Sequence, residues 1–223
     1  METVIISCKT LENELNRAIL ECGRHFDVKW VESGLHNVPN KLRAALQDVL
    51  DSLAGYSRVL MAIGFCGNSL SGLRTGEMTM IVPRVDDCIS LLLGSCAKRT
   101  SLTNGHGMYF LTEGWLRGER TIWHEYQYTL EKYGKETCDE IFEALLGNYR
   151  SLVMLDTGCY DLLSIRGEAE EIAETLKLDY MVIPATIEYL KRLLTGPWDN
   201  DSFLTIPPRS VIAESDLIMT TTG

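Results

Sequence analysis

Short apolar runs alternate with amphipathic stretches along almost the whole chain. The runs within TVIISC, RVLMAI, MIVP and SLVML are typical of strands buried on both faces of a sheet. Between such runs, apolar residues recur every three or four positions, as from Leu11 to Leu20, which predicts amphipathic helices. Strands that alternate with helices predict an α/β fold whose sheet is mostly parallel.

Three stretches of the chain share one rhythm of strand, small-residue turn, helix, strand and helix. They are 4–54, 58–98 and 151–195. The first strand of each stretch ends near a cysteine, namely Cys8, Cys66 and Cys159. We therefore predict three Rossmann-like β-α-β units, with mostly parallel sheets, around a central crevice. Their predicted bounds are 1–57, 58–148 with a helical insertion, and 149–223 with a C-terminal tail.

Composition narrows the class of protein. A formal net charge of -10 argues against broad contact with a nucleic-acid backbone, which requires a basic face. No apolar run reaches the roughly 18 residues of a membrane-spanning helix, and the start METVIISCKTLENEL lacks the basic region of a signal peptide. The 7 cysteines are an odd number in a chain too large to need disulfides, so we expect reduced thiols and a cytoplasmic protein.

The segment GFCGNSLSGL follows the apolar run RVLMAI and precedes a predicted helix. Cys66 then lies at the carboxyl end of a strand, where α/β sheets bind ligands, and the backbone N–H groups of Gly67 and Asn68 are candidates to hold a cofactor there. The segment has neither the Gly-Lys-Ser/Thr of a phosphate loop nor a dinucleotide or nucleophile-elbow pattern. The alternative is a small buried residue in a tight turn.

A second cysteine is predicted to approach the same edge of the sheet. Cys88 opens a helix directly after the strand MIVP, and if that strand lies beside LMAI, both thiols reach one edge. Converging thiolates suit zinc or an iron–sulfur cluster. Cys8, which ends the first strand, is the predicted third ligand, and His36 in the turn GLHNVP is the fourth. For each of these residues, simple packing in the core or a turn remains the alternative.

Five further residues are candidates for chemistry at this crevice. Arg84 can hold a carboxylate or phosphate, Asp87 precedes Cys88, and Tyr109 lies in YFLTEGW; these three are the candidate catalytic residues. Asp156 and Thr157 end the strand SLVMLD and are candidates to bind a cofactor or a metal-bound water. The alternatives are an ion pair for Arg84, helix capping for Asp87 and core packing for Tyr109. For Asp156 and Thr157 the alternative is turn capping.

Taken together, CGNSLSGL, IVPRVDDCISLLLGS, YFLTEGW and GPWDNDSFLTIPP resemble an uncharacterised bacterial and archaeal family, the domain of unknown function 1638. The resemblance covers roughly Val4 to Pro208. Two positions depart from the family pattern. Ser69 stands where the family usually has glycine, and Asp86 stands where it often has histidine. If that histidine is a ligand in relatives, the site is altered in this chain.

The resemblance implies a biological context. Members of the family are often encoded beside corrinoid-dependent methyltransferases, which implies a role in the one-carbon metabolism of methylated amines. We expect a zinc–thiolate protein that acts on a small-molecule substrate by methyl transfer or lyase chemistry, with a corrinoid protein or methyltransferase as partner. One alternative is a non-catalytic accessory protein that binds a substrate or a cofactor such as a corrinoid. Another is a [4Fe-4S] lyase or synthase, since the arrangement of strands and cysteines is similar in outline to quinolinate synthase.

Overall fold

A computed structural model describes residues 2–103 and 105–218 of the chain. The strands in this part are β1 (Thr3–Cys8), β2 (Asp27–Val31), β3 (Arg58–Ala62), β4 (Thr79–Pro83), β5 (Gly107–Leu111), β6 (Tyr149–Asp156), β7 (Asp179–Pro184) and β8 (Phe203–Ile206). The α-helices are α1 (Glu12–Cys22), α2 (Pro39–Ser52), α3 (Cys88–Leu93), α4 (Cys96–Thr103), α5 (Glu113–Leu116), α6 (Ile122–Tyr133), α7 (Lys135–Leu146), α8 (Leu162–Thr175) and α9 (Glu188–Thr195).

The described strands form two sheets. The larger sheet has the order β2-β1-β3-β4-β8, in which the first four strands are parallel and β8 is antiparallel to β4. The smaller sheet, β5-β6-β7, is entirely parallel. The predicted α/β class with β-α-β units and mostly parallel sheets is confirmed. The first and second predicted units share the larger sheet, and the division into three units by residue number stays a prediction.

The central strands are apolar on both faces because each face is covered. Side chains alternate between the two faces of a strand, so Ile5 of β1 points toward an apolar cluster that also contains Val153 and Leu155 of β6. Val4 and Ile6 point the other way, into a cluster that is covered by α2. The first of these clusters therefore joins the larger sheet to the smaller one.

The prediction of a helix directly after Cys66 was wrong. Residues 66–72 form successive turns, and the next regular element is the strand β4. The prediction that the strand MIVP lies beside the strand before Cys66 was right, since MIVP lies in β4, which pairs in parallel with β3. No helix in the described part of the chain is both long enough and apolar enough to cross a membrane.

Candidate functional site

A cavity of about 520 Å³ lies at the carboxyl ends of β1, β3 and β4. This is the edge at which parallel α/β sheets bind ligands. The thiol-bearing residues Cys8, Cys66 and Cys88 line it from the larger sheet, and residues of β5 line it from the smaller sheet. His36, Gly67, Asp87 and Tyr109 are also among its lining residues. The cavity therefore brings together all four predicted metal ligands and three of the other predicted residues.

The two loops that carry Cys66 and Cys88 are docked backbone to backbone. The N–H of Phe65 donates to the carbonyl of Val85 at 2.9 Å, and the N–H of Cys66 donates to the carbonyl of Asp86 at 2.7 Å. A Cβ added at Gly64 would lie 2.5 Å from the Cα of Asp87, so only glycine permits this approach. Packing of one loop on the other places the two cysteines together.

The segment from Cys66 to Asn68 is a left-handed turn. The φ angles are 43° at Cys66, 64° at Gly67 and 63° at Asn68, and the N–H of Ser69 closes the turn on the carbonyl of Phe65 at 3.1 Å. Non-glycine residues in this conformation carry backbone strain, which is concentrated at functional sites in proteins. Cys66 and Gly67, the first two residues of this turn, line the cavity.

Asn68 points elsewhere. Its side-chain amide reaches the carboxylate of Glu214 at 3.4 Å, and its carbonyl accepts from Arg43 at 3.0 Å. Asn68 is not among the residues that line the cavity in the described part of the chain. Its cofactor-binding role stays a prediction without geometric support, whereas Gly67 is placed for such a role.

Burial and neighbouring thiols raise the pKa values of Cys8 and Cys88. The pKa of Cys88 is raised well above its ordinary value, first by the neighbouring thiol of Cys66 and then by burial. Burial, together with the charge that Cys88 would carry, raises the pKa of Cys8 to about 11, although the Thr10 hydroxyl donates to the Cys8 Sγ at 3.1 Å and opposes this. Cys8 and Cys88 are therefore protonated at neutral pH unless a cation displaces the protons.

Asp87 fixes the start of α3 and pairs with an arginine that the sequence analysis missed. Its Oδ1 accepts from the N–H of Ser90 at 2.9 Å, which is an N-cap hydrogen bond. Its Oδ2 lies 2.5 Å from Arg99 Nη1 on α4. The Arg99 guanidinium in turn lies 6.0 Å from the centroid of the Phe110 ring. No motif marked Arg99, because its role depends on how α4 returns to the cavity.

His36 lies in a short 3-10 helix, Leu35–Asn37, at the wall of the cavity. Burial lowers the pKa of its imidazole, and the nearby carboxylate of Asp87 opposes that effect. A neutral imidazole is the form that binds metals. However, within 2–103 and 105–218 no group of three or more His, Cys, Asp or Glu side chains is arranged to hold a metal ion. The metal site stays a prediction.

Three of the other predicted site residues lie away from the cavity. The backbone N–H of Arg84 donates to the carbonyl of Ser202 at 2.8 Å, and its guanidinium reaches the carbonyl of Asp216 at 3.4 Å. Asp156 accepts from the N–H of Gly158 at 3.1 Å, as in a turn cap. Thr157 donates to the carboxylate of Glu14 at 3.0 Å. The Asp156 contact matches the turn-cap alternative, whereas Arg84 bonds to backbone carbonyls and, among the described residues, forms no ion pair. The predicted roles of the three residues have no geometric support.

An aromatic corner faces the thiols across the cavity. The rings of Tyr109 and Tyr149 are 6.5 Å apart at an angle of 53°, and Trp115 lies on the same wall. The Tyr109 hydroxyl accepts from the N–H of Ile122 at 3.3 Å, and the ring of Tyr149 lies so close to Gly107 that a Cβ there would approach it to 2.8 Å. Both tyrosine rings are therefore held in place.

The aromatic corner separates the thiol cavity from an adjoining cavity of about 260 Å³, since both are lined by Tyr109, Trp115 and Tyr149. Carboxylates outnumber guanidinium groups along the two cavities. The carboxylates belong to Glu32, Asp86, Asp87, Glu119 and Glu125, and the guanidinium groups belong to Arg99 and Arg120. The combined crevice therefore has a negative potential that favours cationic ligands.

The fold and this site define an α/β protein with a thiol-lined crevice at the carboxyl edge of its larger sheet. The family described as "Protein of unknown function (DUF1638)" matches residues 30–194, and the chain belongs to this family. The matched region contains Cys66, Cys88 and the segment YFLTEGW, whereas Cys8 and GPWDNDSFLTIPP lie outside it. Neither a curated protein nor a solved structure matches the chain.

Proposed function

We propose that the crevice binds a zinc ion through Cys66 and Cys88, with Cys8 and His36 as the remaining protein ligands. The observation that carries this proposal is the meeting of three thiols at one cavity on the ligand-binding edge of the sheet. Thiolate and imidazole are the ligands that zinc prefers. Because no ready-made group of three ligands exists in the described residues, at least one side chain has to move when the ion binds.

The electrostatics of the thiols support a cation at this place. Two of the three thiols have raised pKa values, because burial and neighbouring sulfur atoms disfavour their charged forms. A divalent cation reverses that preference, and binding releases the thiol protons. Zinc held in this way acts as a Lewis acid, or binds a thiol substrate as the thiolate that accepts a methyl group.

The wall opposite the thiols supports an organic cation as substrate. Aromatic faces attract ammonium groups, and quaternary ammonium ligands are commonly held by aromatic side chains at an angle to one another. Tyr109 and Tyr149 form such an angle, and among the described residues the carboxylates of Glu32 and Asp86 form no ion pair. A methylated amine fits this chemistry. We therefore infer a role in one-carbon metabolism, alongside a corrinoid protein or methyltransferase.

The metal proposal is tested by elemental analysis of protein purified without oxygen. We expect about one zinc per chain, lost in Cys66→Ser and in Cys88→Ser but retained in Cys22→Ser, whose thiol lies on α1 and does not line the cavity. Bound iron with a visible absorbance band would instead identify an iron–sulfur cluster. Wild-type protein that binds neither metal when supplied with each would refute both forms of the proposal.

A second candidate function is a non-catalytic accessory protein that binds the substrate or a corrinoid. The observation that favours it is the fixed aromatic corner, which is complete without any metal. In this case Cys66→Ser leaves the affinity for a methylated ammonium probe such as choline unchanged, whereas Tyr149→Leu weakens it. Isothermal titration of both variants decides between the two functions, since zinc-dependent binding is lost in Cys66→Ser.

A further inference from the structure

We propose that Cys66 and Cys88 form a reversible disulfide, so that oxidation closes the crevice to metal. The proposal deepens the proposed function by naming a regulation of the same site. Only its consequence for the metal rests on the proposed function, because the disulfide itself requires nothing but the two thiols. All seven cysteines are free thiols in this structure.

The backbone geometry permits the bond. A disulfide requires Cα atoms roughly 4.4–6.8 Å apart, a range that includes the spacing of about 4.8 Å between neighbouring strands. Cys66 and Cys88 follow the neighbouring strands β3 and β4. Their loops are joined by the hydrogen bond of 2.7 Å from the N–H of Cys66 to the carbonyl of Asp86. They also approach each other closely where Gly64 meets the backbone of Asp87. Both cysteines also line the same cavity.

The same geometry disfavours a bond between Cys8 and Cys88. Cys8 ends β1, and β3 lies between β1 and β4, so Cys8 and Cys88 follow strands that are not adjacent. Cys8 and Cys66 do follow neighbouring strands, but Ser7 lies opposite Ala62 in that pairing, so Cys8 ends its strand three positions short of Cys66. The Sγ of Cys8 is moreover engaged by the Thr10 hydroxyl at 3.1 Å. Cys8 therefore takes the position of a third thiol beside the disulfide.

Exposure sets the order of the two chemical steps. Cys66 is half-buried at the cavity wall, whereas Cys88 is only 5% exposed. A low-molecular-weight disulfide RSSR that enters the cavity reacts first with Cys66, which forms a mixed disulfide and releases one RSH. The sulfur of Cys88 then displaces the second RSH and closes the protein disulfide. The two protein thiols supply the two electrons that reduce RSSR to two molecules of RSH.

Trypsin separates the thiols in a way that makes the test direct. Cleavage after lysine and arginine places Cys8 in residues 1–9 and Cys66 in residues 59–74, while Cys88 and Cys96 share residues 85–98. Metal-free protein is incubated with oxidised glutathione, the remaining thiols are blocked, and peptides are mapped by mass spectrometry without reduction. We expect a cross-link between 59–74 and 85–98 that persists in Cys96→Ser and in the control Cys22→Ser. Dithiothreitol should reverse it.

Cys88→Ser should abolish the cross-link and leave glutathione attached to Cys66. The proposal would be overturned if Cys66 of the wild-type protein stayed free or kept its glutathione. It would also be overturned by a cross-link that is lost in Cys96→Ser or by one that involves residues 1–9. Zinc binding is measured separately on the reduced protein. A cross-link without zinc binding refutes the proposed function and leaves this inference standing, and zinc binding without a cross-link does the reverse.

Discussion

Glu14 is a carboxyl group buried between the two sheets. It lies in the first turn of α1 with no exposed surface, and its Oε1 accepts from the Thr157 hydroxyl at 3.0 Å. Its Oε2 is buried without a hydrogen-bond partner among the described residues. Burial raises the pKa of this carboxyl above its ordinary value of 4.5, and the charge of Glu113 adds to the effect. The folded protein therefore holds the Glu14 proton more tightly than the unfolded chain does.

Replacing Glu14 with glutamine should change how stability depends on pH. Because the folded-state pKa is raised, the contribution of Glu14 to stability is fully present below the unfolded-state pKa and is lost as pH rises through the folded-state pKa. Glu14→Gln removes this loss, so its free energy of unfolding relative to wild type should increase as pH rises. Urea unfolding at several pH values measures it. The control Glu171→Gln, on the exposed face of α8, should show no such trend. A difference between Glu14→Gln and wild type that is constant with pH would contradict the assignment.

Individual residues differ in how far the sequence could predict their roles. Cys66 and Cys88 could be predicted to meet because each follows a recognisable buried strand, and parallel neighbouring strands end at one edge. Arg99 and Glu14 could not, since their partners are distant in sequence and no local pattern marks them. The misplacement of Asp156 and Thr157 has a related cause: the strand that ends at Asp156 belongs to the smaller sheet, and strand patterns do not say which sheet a strand joins.

At the scale of elements, the docking of two loops decides the geometry of the site. The loop after β3 was predicted to open a helix, as loops after parallel strands commonly do. Instead it makes a left-handed turn, and the N–H groups of Phe65 and Cys66 at the start of this turn donate to the loop after β4. Glycine and asparagine tolerate that conformation, so Gly67 and Asn68 in the sequence indicate a turn. The left-handed conformation of the turn and its packing on the loop after β4 depend on contacts across the sheet, which the local sequence does not show.

Gly64→Ala tests this docking. The added Cβ meets the backbone of Asp87 at 2.5 Å, so the loops have to separate. We expect the free energy of unfolding to fall by about 1–3 kcal/mol, as overpacking costs in protein cores, and cross-linking of Cys66 to Cys88 to weaken. Urea unfolding followed by circular dichroism measures the first effect.

The matched control is Gly167→Ala in the interior of α8, where a Cβ meets nothing within 4 Å. Because alanine favours helices, this variant should gain about 0.5–1 kcal/mol. Stability of Gly64→Ala equal to that of wild type would show that the loops are not packed as tightly as described.

On the scale of the whole molecule, the two sheets share one apolar cluster. Ile5, Leu60 and Ile81 of the larger sheet belong to it together with Val153 and Leu155 of the smaller sheet. The crevice lies between walls that the two sheets supply, so its shape depends on this shared core. The predicted division into three units implies weaker coupling, since separate domains have separate cores. The shared cluster leads us to expect a single cooperative unit, and the division into three units stays a prediction.

Leu155→Ala distinguishes these two possibilities. Leu155 is fully buried in the shared cluster, and truncating such a leucine costs about 2–5 kcal/mol. If the molecule unfolds as one unit, the most protected amides of β1 and β3 should lose the same free energy as those of β6, although the substitution lies in the other sheet. Native-state hydrogen exchange measures this strand by strand. Leu163→Ala, at a leucine on α8 that is 78% exposed, should leave all three strands unchanged. Loss of protection in β6 with full protection in β1 and β3 would mean that the sheets unfold independently, and the crevice would then open by separation of its two walls.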